Sequence, residues 1–198
     1  MKQKKGGTTM ERGNMKKALS TICLCAIVFI FTSRAPYDVY AASSGNVTVT
    51  VTIENVSISL SGASWDIGTI AAGQTVQMSE ASDITVTNNG NVTESFTLML
   101  SNPPGWTAGS NAGADVYVMK GLFVGATDAP APTDFGANDV ITTTSQTASP
   151  TVFGAFSSTG NSVPASSSAD LWLQFTAPTS TTVTTSQSIV ITVGATVP

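Results

Sequence analysis

From residue 42 onward the strongly apolar residues recur at every second position, with Ser, Thr, Asn and Gly between them. That period places successive side chains on opposite faces of an extended chain, so it predicts strands and argues against helices. Val47, Val49, Val51 and Ile53 share one face; Val56, Ile58 and Leu60 continue on the other parity. A one-residue shift near Glu54-Asn55 is expected where a strand bulges or switches sheet. Further strands are predicted at Thr75 to Met78, Asp83 to Thr87 with Ile84 and Val86 inward, and Val92 to Ser101 with Phe96, Leu98 and Leu100 inward. Asn89-Gly90 suits a tight primed turn between the last two, because both residues tolerate positive φ. Val116 to Val124 sets Tyr117, Met119 and Phe123 against Val116 and Val118. Ala126 to Asn138 reads as a Pro, Asp and Gly loop, and Val140 to Thr144 and Thr151 to Phe156 as weaker strands. A Ser- and Gly-rich connection over Ser157 to Ser168 then leads to Ala169 to Thr176, with Leu171, Leu173 and Phe175 on one face, and to Ser188 to Val193. Eight to ten short strands with turns about every ten residues predict a single all-β antiparallel β-sandwich.

The first forty residues do not belong to that pattern. Met15 to Ser33, MKKALSTICLCAIVFIFTS, has a basic start and an apolar run, and Val39-Tyr40-Ala41 offers the small-x-small pattern that a signal peptidase accepts. Residues 1-41 are therefore expected to be a signal peptide and 42-198 the sandwich domain. The apolar run from Ala18 to Thr32 is shorter than a spanning helix needs, so no stable membrane insertion is expected. Cys23 and Cys25 lie inside it, without the small preceding residue that lipidation favours.

Removing residues 1-41 changes the chemistry available. Seven of the eight Lys and Arg residues and two of the twelve acids precede residue 42, so the remainder keeps Lys120 and ten carboxylates, a formal charge of −9. It holds no arginine, histidine or cysteine. Without cationic side chains to displace counterions, nucleic acid is excluded as a partner, and adsorption to anionic lipid fails on the same ground. Without imidazole or thiolate there is no hydrolase triad and no zinc site of the usual kind. The expectation is a secreted, non-enzymatic protein with no catalytic, cofactor-binding or metal residue assigned.

The stretch Trp65 to Trp106, WDIGTIAAGQTVQMSEASDITVTNNGNVTESFTLMLSNPPGW, resembles secreted immunoglobulin-like modules: a G-T-I-x-x-G turn, a strand ending Asn-x-Gly-Asn, an alternating strand and a Pro-Gly-Trp corner. It is similar to CARDB-type and alpha-galactosidase-associated β-sandwich modules and, more loosely, to fibre-forming camelysin/TasA-like surface proteins. Val163-Pro164-Ala165 before the LWLQF strand resembles the close of those modules. The resemblance covers about half of residues 42-198 and rests on turn and core residues, so it implies a fold rather than an activity.

Several constellations allow chemistry and also have plainer readings. Trp65, Trp106 and Trp172 could stack on sugar rings. Trp65 and Trp106 sit beside turns, where large rings cap a sandwich, whereas the parity of Trp172 turns it away from the face of Leu171 and Leu173. With Phe135 and Phe153, Trp172 carries the alternative expectation of a carbohydrate-binding module for polysaccharide of the cell envelope or matrix. Asp128, Asp134 and Asp139 share a loop region whose oxygens could hold calcium, or they are solvated loop acids. Lys120 could cross-link to an asparagine or stand exposed on its strand. Asn46, Asn55 and Asn91 head glycosylation sequons. The leading expectation is a structural or adhesive protein of the cell surface or extracellular space, whose nearly charge-free segment Asn46 to Leu60 closes its own sheet or is added to a neighbour's, self-assembling as a filament.

Overall fold

In a computed structural model of the chain, the described residues are 47–62, 64–125, 129–154 and 160–198. The expected signal peptide, Asn46, Asp128 and Phe156 lie outside them. One compact unit runs from Val51 to Pro198; of the unit ending at Thr50, only Val47 to Thr50 are described, as exposed chain in no strand.

The protein is an all-β sandwich. Its strands are β1 (Ile58–Leu60), β2 (Thr75–Gln77), β3 (Ile84–Asn88), β4 (Ser95–Ser101), β5 (Thr107–Ala108), β6 (Val116–Val124), β7 (Gln146–Thr147), β8 (Ser168–Thr176) and β9 (Val190–Thr196). Six form one sheet in the order β1-β3-β8-β6-β5, with β2 also pairing β8; the other sheet is β7-β4-β9. All pairs are antiparallel except the two-residue β5–β6 pair. The residues that build these ladders are largely Val, Ile, Thr and Phe, whose branched or flat side chains fit a pleated surface.

The inward set is the one that alternation predicts. Phe96, Leu98 and Leu100 of β4 face Tyr117, Met119 and Phe123 of β6 and Leu171, Leu173 and Phe175 of β8, all buried. The Phe96 and Phe123 rings meet at 5.4 Å, inclined by 52°. Gly121 fits here because a Cβ would come within 2.8 Å of Leu98 Cδ1; the strand gives up a side chain so that β4 can approach. The outer face of β6 and β8 is covered as well. Gln77 Nε2 donates to Pro130 O at 2.7 Å, Gln174 Nε2 to Pro132 O at 3.1 Å and Lys120 Nζ to Phe135 O at 2.9 Å. These bonds lay the segment with 3-10 turns at Pro132–Asp134 and Ala137–Asp139 over Leu122, Val124 and Trp172, which are buried beneath it.

Several expectations are corrected. Asn89-Gly90 makes no primed turn: neither residue has positive φ, and β3 and β4 belong to different sheets. The buried Asn88 side chain governs that passage, donating to Val92 O and Val163 O at 2.9 Å and accepting from Gly90 N at 2.8 Å. A side chain that satisfies three backbone groups replaces a two-residue turn and carries the chain across the core. Residues 47–57 form no strand, so the change of parity at Glu54-Asn55 is not a bulge. Val140 and Gly154 make only single bridges to β6, and the short β5 and β7 carried no readable alternation.

Candidate functional site

Val47 to Ile53 is the unusual part of the molecule. Its four aliphatic side chains are 77–86% exposed, although Val and Ile are among the residues most often buried. The strand pattern read from the sequence is present, but the pairing is missing. Downstream the chain is held firmly. Asn91 Nδ2 donates to Ile53 O at 2.8 Å, Asn91 Oδ1 accepts from Asn55 N at 2.7 Å, and Asn91 N donates to Asn55 O at 3.1 Å. Ser57 N donates to Glu94 Oε1 at 2.8 Å, and Asn89 N to Ser57 O at 2.7 Å. Residues 53–57 are thus clamped to the β3–β4 passage just before β1 begins. Asn91, which heads a sequon, uses its side-chain amide as a clamp, a role that depends on a contact 36 residues away in sequence.

A second open feature lies along β1 and β9, which end the strand orders of the two sheets. Register sets Ile191, Val193 and Ala195 of β9 beside Leu100, Leu98 and Phe96 of β4, and Leu60 of β1 beside Val86 of β3. Cross-strand neighbours share a face, so all of these point inward. Yet Leu60 is 46% exposed while Val86 is fully buried, and Ile191, Val193 and Ala195 are only half-buried beside the sealed β4 residues. The opposite side is closed: Ile141 N donates to Met119 O at 2.8 Å, Leu100 N to Thr142 O, Ala148 N to Phe96 O and Phe123 N to Phe153 O. The segment carrying β7 therefore stitches β4's sheet to β6, which leaves β9 and β1 on the unstitched side. Among the described residues three strands face six, and no strand follows β9 in the small sheet.

The other residues picked out by sequence have structural roles. Trp172 keeps the parity expected of it but is only 4% exposed, and Phe135 and Phe153 are also buried, so none of the three presents a face to a sugar ring. Trp106 caps one end, stacked on Phe175 at 6.3 Å and donating Nε1 to Thr181 Oγ1 at 2.9 Å. Gly105 turns the chain into it at φ +93°, where a Cβ would strike Val183. Tyr117 adjoins the cap, its hydroxyl donating to Asn102 Oδ1 at 3.1 Å, and burial pushes its pKa up to about 12. Trp65 is half-buried against the core.

The loop acids are separated by their tasks. Asp134 Oδ2 accepts from Ala131 N at 2.7 Å; Asp139 accepts from Gly136 N at 2.6 Å and Phe153 N at 2.8 Å. Desolvation by burial raises the Asp139 pKa, opposed by those two N–H groups and by Lys120. Carboxylates tied to their own turns are not converged on a cation, and the described residues include no group of three acidic, histidine or cysteine side chains placed to hold a metal. Asp115 is different: bonds from Thr181 and Thr182 lower its pKa at a partly exposed position, joining the chain after β8 to the start of β6. Lys120 is half-buried and spends its ammonium on the Phe135 carbonyl.

No helix among the described residues is long and apolar enough to cross a membrane. Compared with known proteins, the chain matches no family model, no curated protein and no solved structure.

Proposed function

We propose that this is a secreted, non-enzymatic structural or adhesive protein of the cell surface or extracellular space, a fibre subunit that joins its copies through the N-terminal strand. The observation that carries the reading is the Val47 to Ile53 segment, strand-patterned, free of charge and exposed along its aliphatic face. An apolar patch of that kind marks an interaction surface. Strand addition suits it, because main-chain hydrogen bonds supply affinity and alternate side chains fill pockets. Secretion is supported by the basic and apolar pattern of Met15 to Ser33 and the Val39-Tyr40-Ala41 cleavage pattern. The scarcity of side chains able to activate a nucleophile supports a structural role over catalysis.

The test compares the wild-type chain with a Val49→Asp/Val51→Asp variant by electron microscopy and sedimentation. Filaments or large assemblies are expected from the wild type and none from the variant. Wild-type protein that stays monomeric at high concentration, or a variant that assembles equally well, would overturn the proposal.

A further inference from the structure

The fibre reading leaves open where the strand goes. Sheet edges are normally guarded by shortness, by charge, by proline or by a bulge. β5 and β7 are two residues each and β1 and β2 three each, so they are guarded by length. β9 is the exception. It runs for seven residues in unbroken register against β4, pairs on its other side with no strand among the described residues, and contains neither proline nor charge. The chain carries no charged side chain anywhere from Leu171 to Pro198. The inward row Ile191, Val193 and Ala195 is half-buried, Val190 is 58% exposed, and Leu60 of β1, the edge strand of the larger sheet, is 46% exposed.

We infer, building on the fibre reading, that the seam between β1 and β9 is the acceptor, and that its occupant is Val47 to Ile53 of a second copy, added beside β9 as a fourth strand of the small sheet. The dimensions agree. Donor and β9 are both seven residues, about 23 Å of extended chain each. The side chains agree too: the row Val47, Val49, Val51 and Ile53 has the two-residue spacing of Ile191, Val193 and Ala195, so one face of the donor meets the uncovered core while Thr48, Thr50 and Thr52 face water. Neither element brings a charge to be desolvated. A donor from the same chain is disfavoured by the clamp. Residues 53–57 are pinned to Asn91 and Glu94, and no glycine or proline between Asn46 and Ser61 offers a reversal. A subunit that carries both a donor and an acceptor for its neighbours propagates head to tail.

The test uses the full chain with Val49→Asp/Val51→Asp, which spoils the donor and leaves the acceptor intact, and a synthetic peptide of residues 46–54. The peptide is expected to bind and to slow amide hydrogen exchange over Val190 to Thr196. Its affinity should fall at least about tenfold when its own valines 49 and 51 are replaced by aspartate, or when the protein carries Leu60→Lys. Circular dichroism establishes that the Leu60→Lys protein is folded. Val190→Lys, at an exposed position, is a second acceptor variant expected to weaken binding in the same direction. If wild-type chains assemble but the peptide fails to bind, or slows exchange at β5 or β7 instead, the seam is overturned and the fibre reading stands. If wild-type chains do not assemble and the peptide does not bind, both fall.

Discussion

The two sides of the sandwich are finished differently. On the β6 side, residues 140–154 return to the core strands at Met119, Leu100, Phe96 and Phe123, and the segment before them is bonded across the outer face through Gln77, Lys120 and Gln174. Every large apolar residue of β6 except Val116 is buried as a result. On the β1/β9 side no such return exists among the described residues, and side chains of the same type and spacing remain half open. The hydrophobic pattern is equal on both sides; the cover is not. An apolar row at an unfinished edge is a place for another strand, and the protein's own N-terminal row is the strand without a place.

This contrast is breakable at several points. The largest effect is expected at the sealed center: Phe96→Ala, which empties a fully buried ring site, should cost about 3–5 kcal/mol in denaturant unfolding, whereas Ile191→Ala on the open side should cost clearly less. Equal losses would mean that the two sides are equally covered. Asn88→Ala should come next, at about 1–3 kcal/mol, because it strands the carbonyls of Val92 and Val163 that its amide serves. A change near zero in chemical denaturation would show that water replaces the amide. Val51→Thr in the dispersed protein should alter stability by no more than about 0.5 kcal/mol, since the residue is exposed, while reducing assembly measured by light scattering. A large stability loss would place that side chain in a core.

The smallest effect concerns pH. Asp139 has a folded pKa raised above the usual 3.8 by burial, so the folded state holds the proton more tightly than the unfolded chain. Its contribution therefore weakens the fold as pH rises from about 3.8 through the raised value. Asp115 runs the other way: its lowered pKa supplies stability above 3.8 that is lost as pH falls through the folded value. Asp139→Asn should flatten the decline of stability with rising pH in that first window, read from melting temperature against pH. An unchanged slope would remove Asp139 from the titration.

What could be read from the sequence was what depends on local alternation. The inward rows of β4, β6 and β8 are the residues named by parity, because a two-residue period and burial on one face are the same fact in two forms. Topology was out of reach. Asn89-Gly90 has the composition of a tight turn, but the buried Asn88 amide sends the chain into the other sheet, a choice set by Val163 far along the sequence. Trp172 was correctly turned from the main core, yet its burial depends on a loop secured by Gln174 and Lys120. The row Val47 to Ile53 was visible as four alternating aliphatics; the open edge proposed to receive it was not, since an open edge is a property of strand order.

The most direct measurement is amide hydrogen exchange followed in dispersed and assembled wild-type protein. Residues 47–53 and the outward amides of Ile191, Val193 and Ala195 are expected to exchange freely when dispersed and to become protected together on assembly, while the alternate amides of β9 are held by β4 in both states. Assemblies in which residues 47–53 still exchange freely, or dispersed protein in which they are already protected, would contradict strand donation between copies.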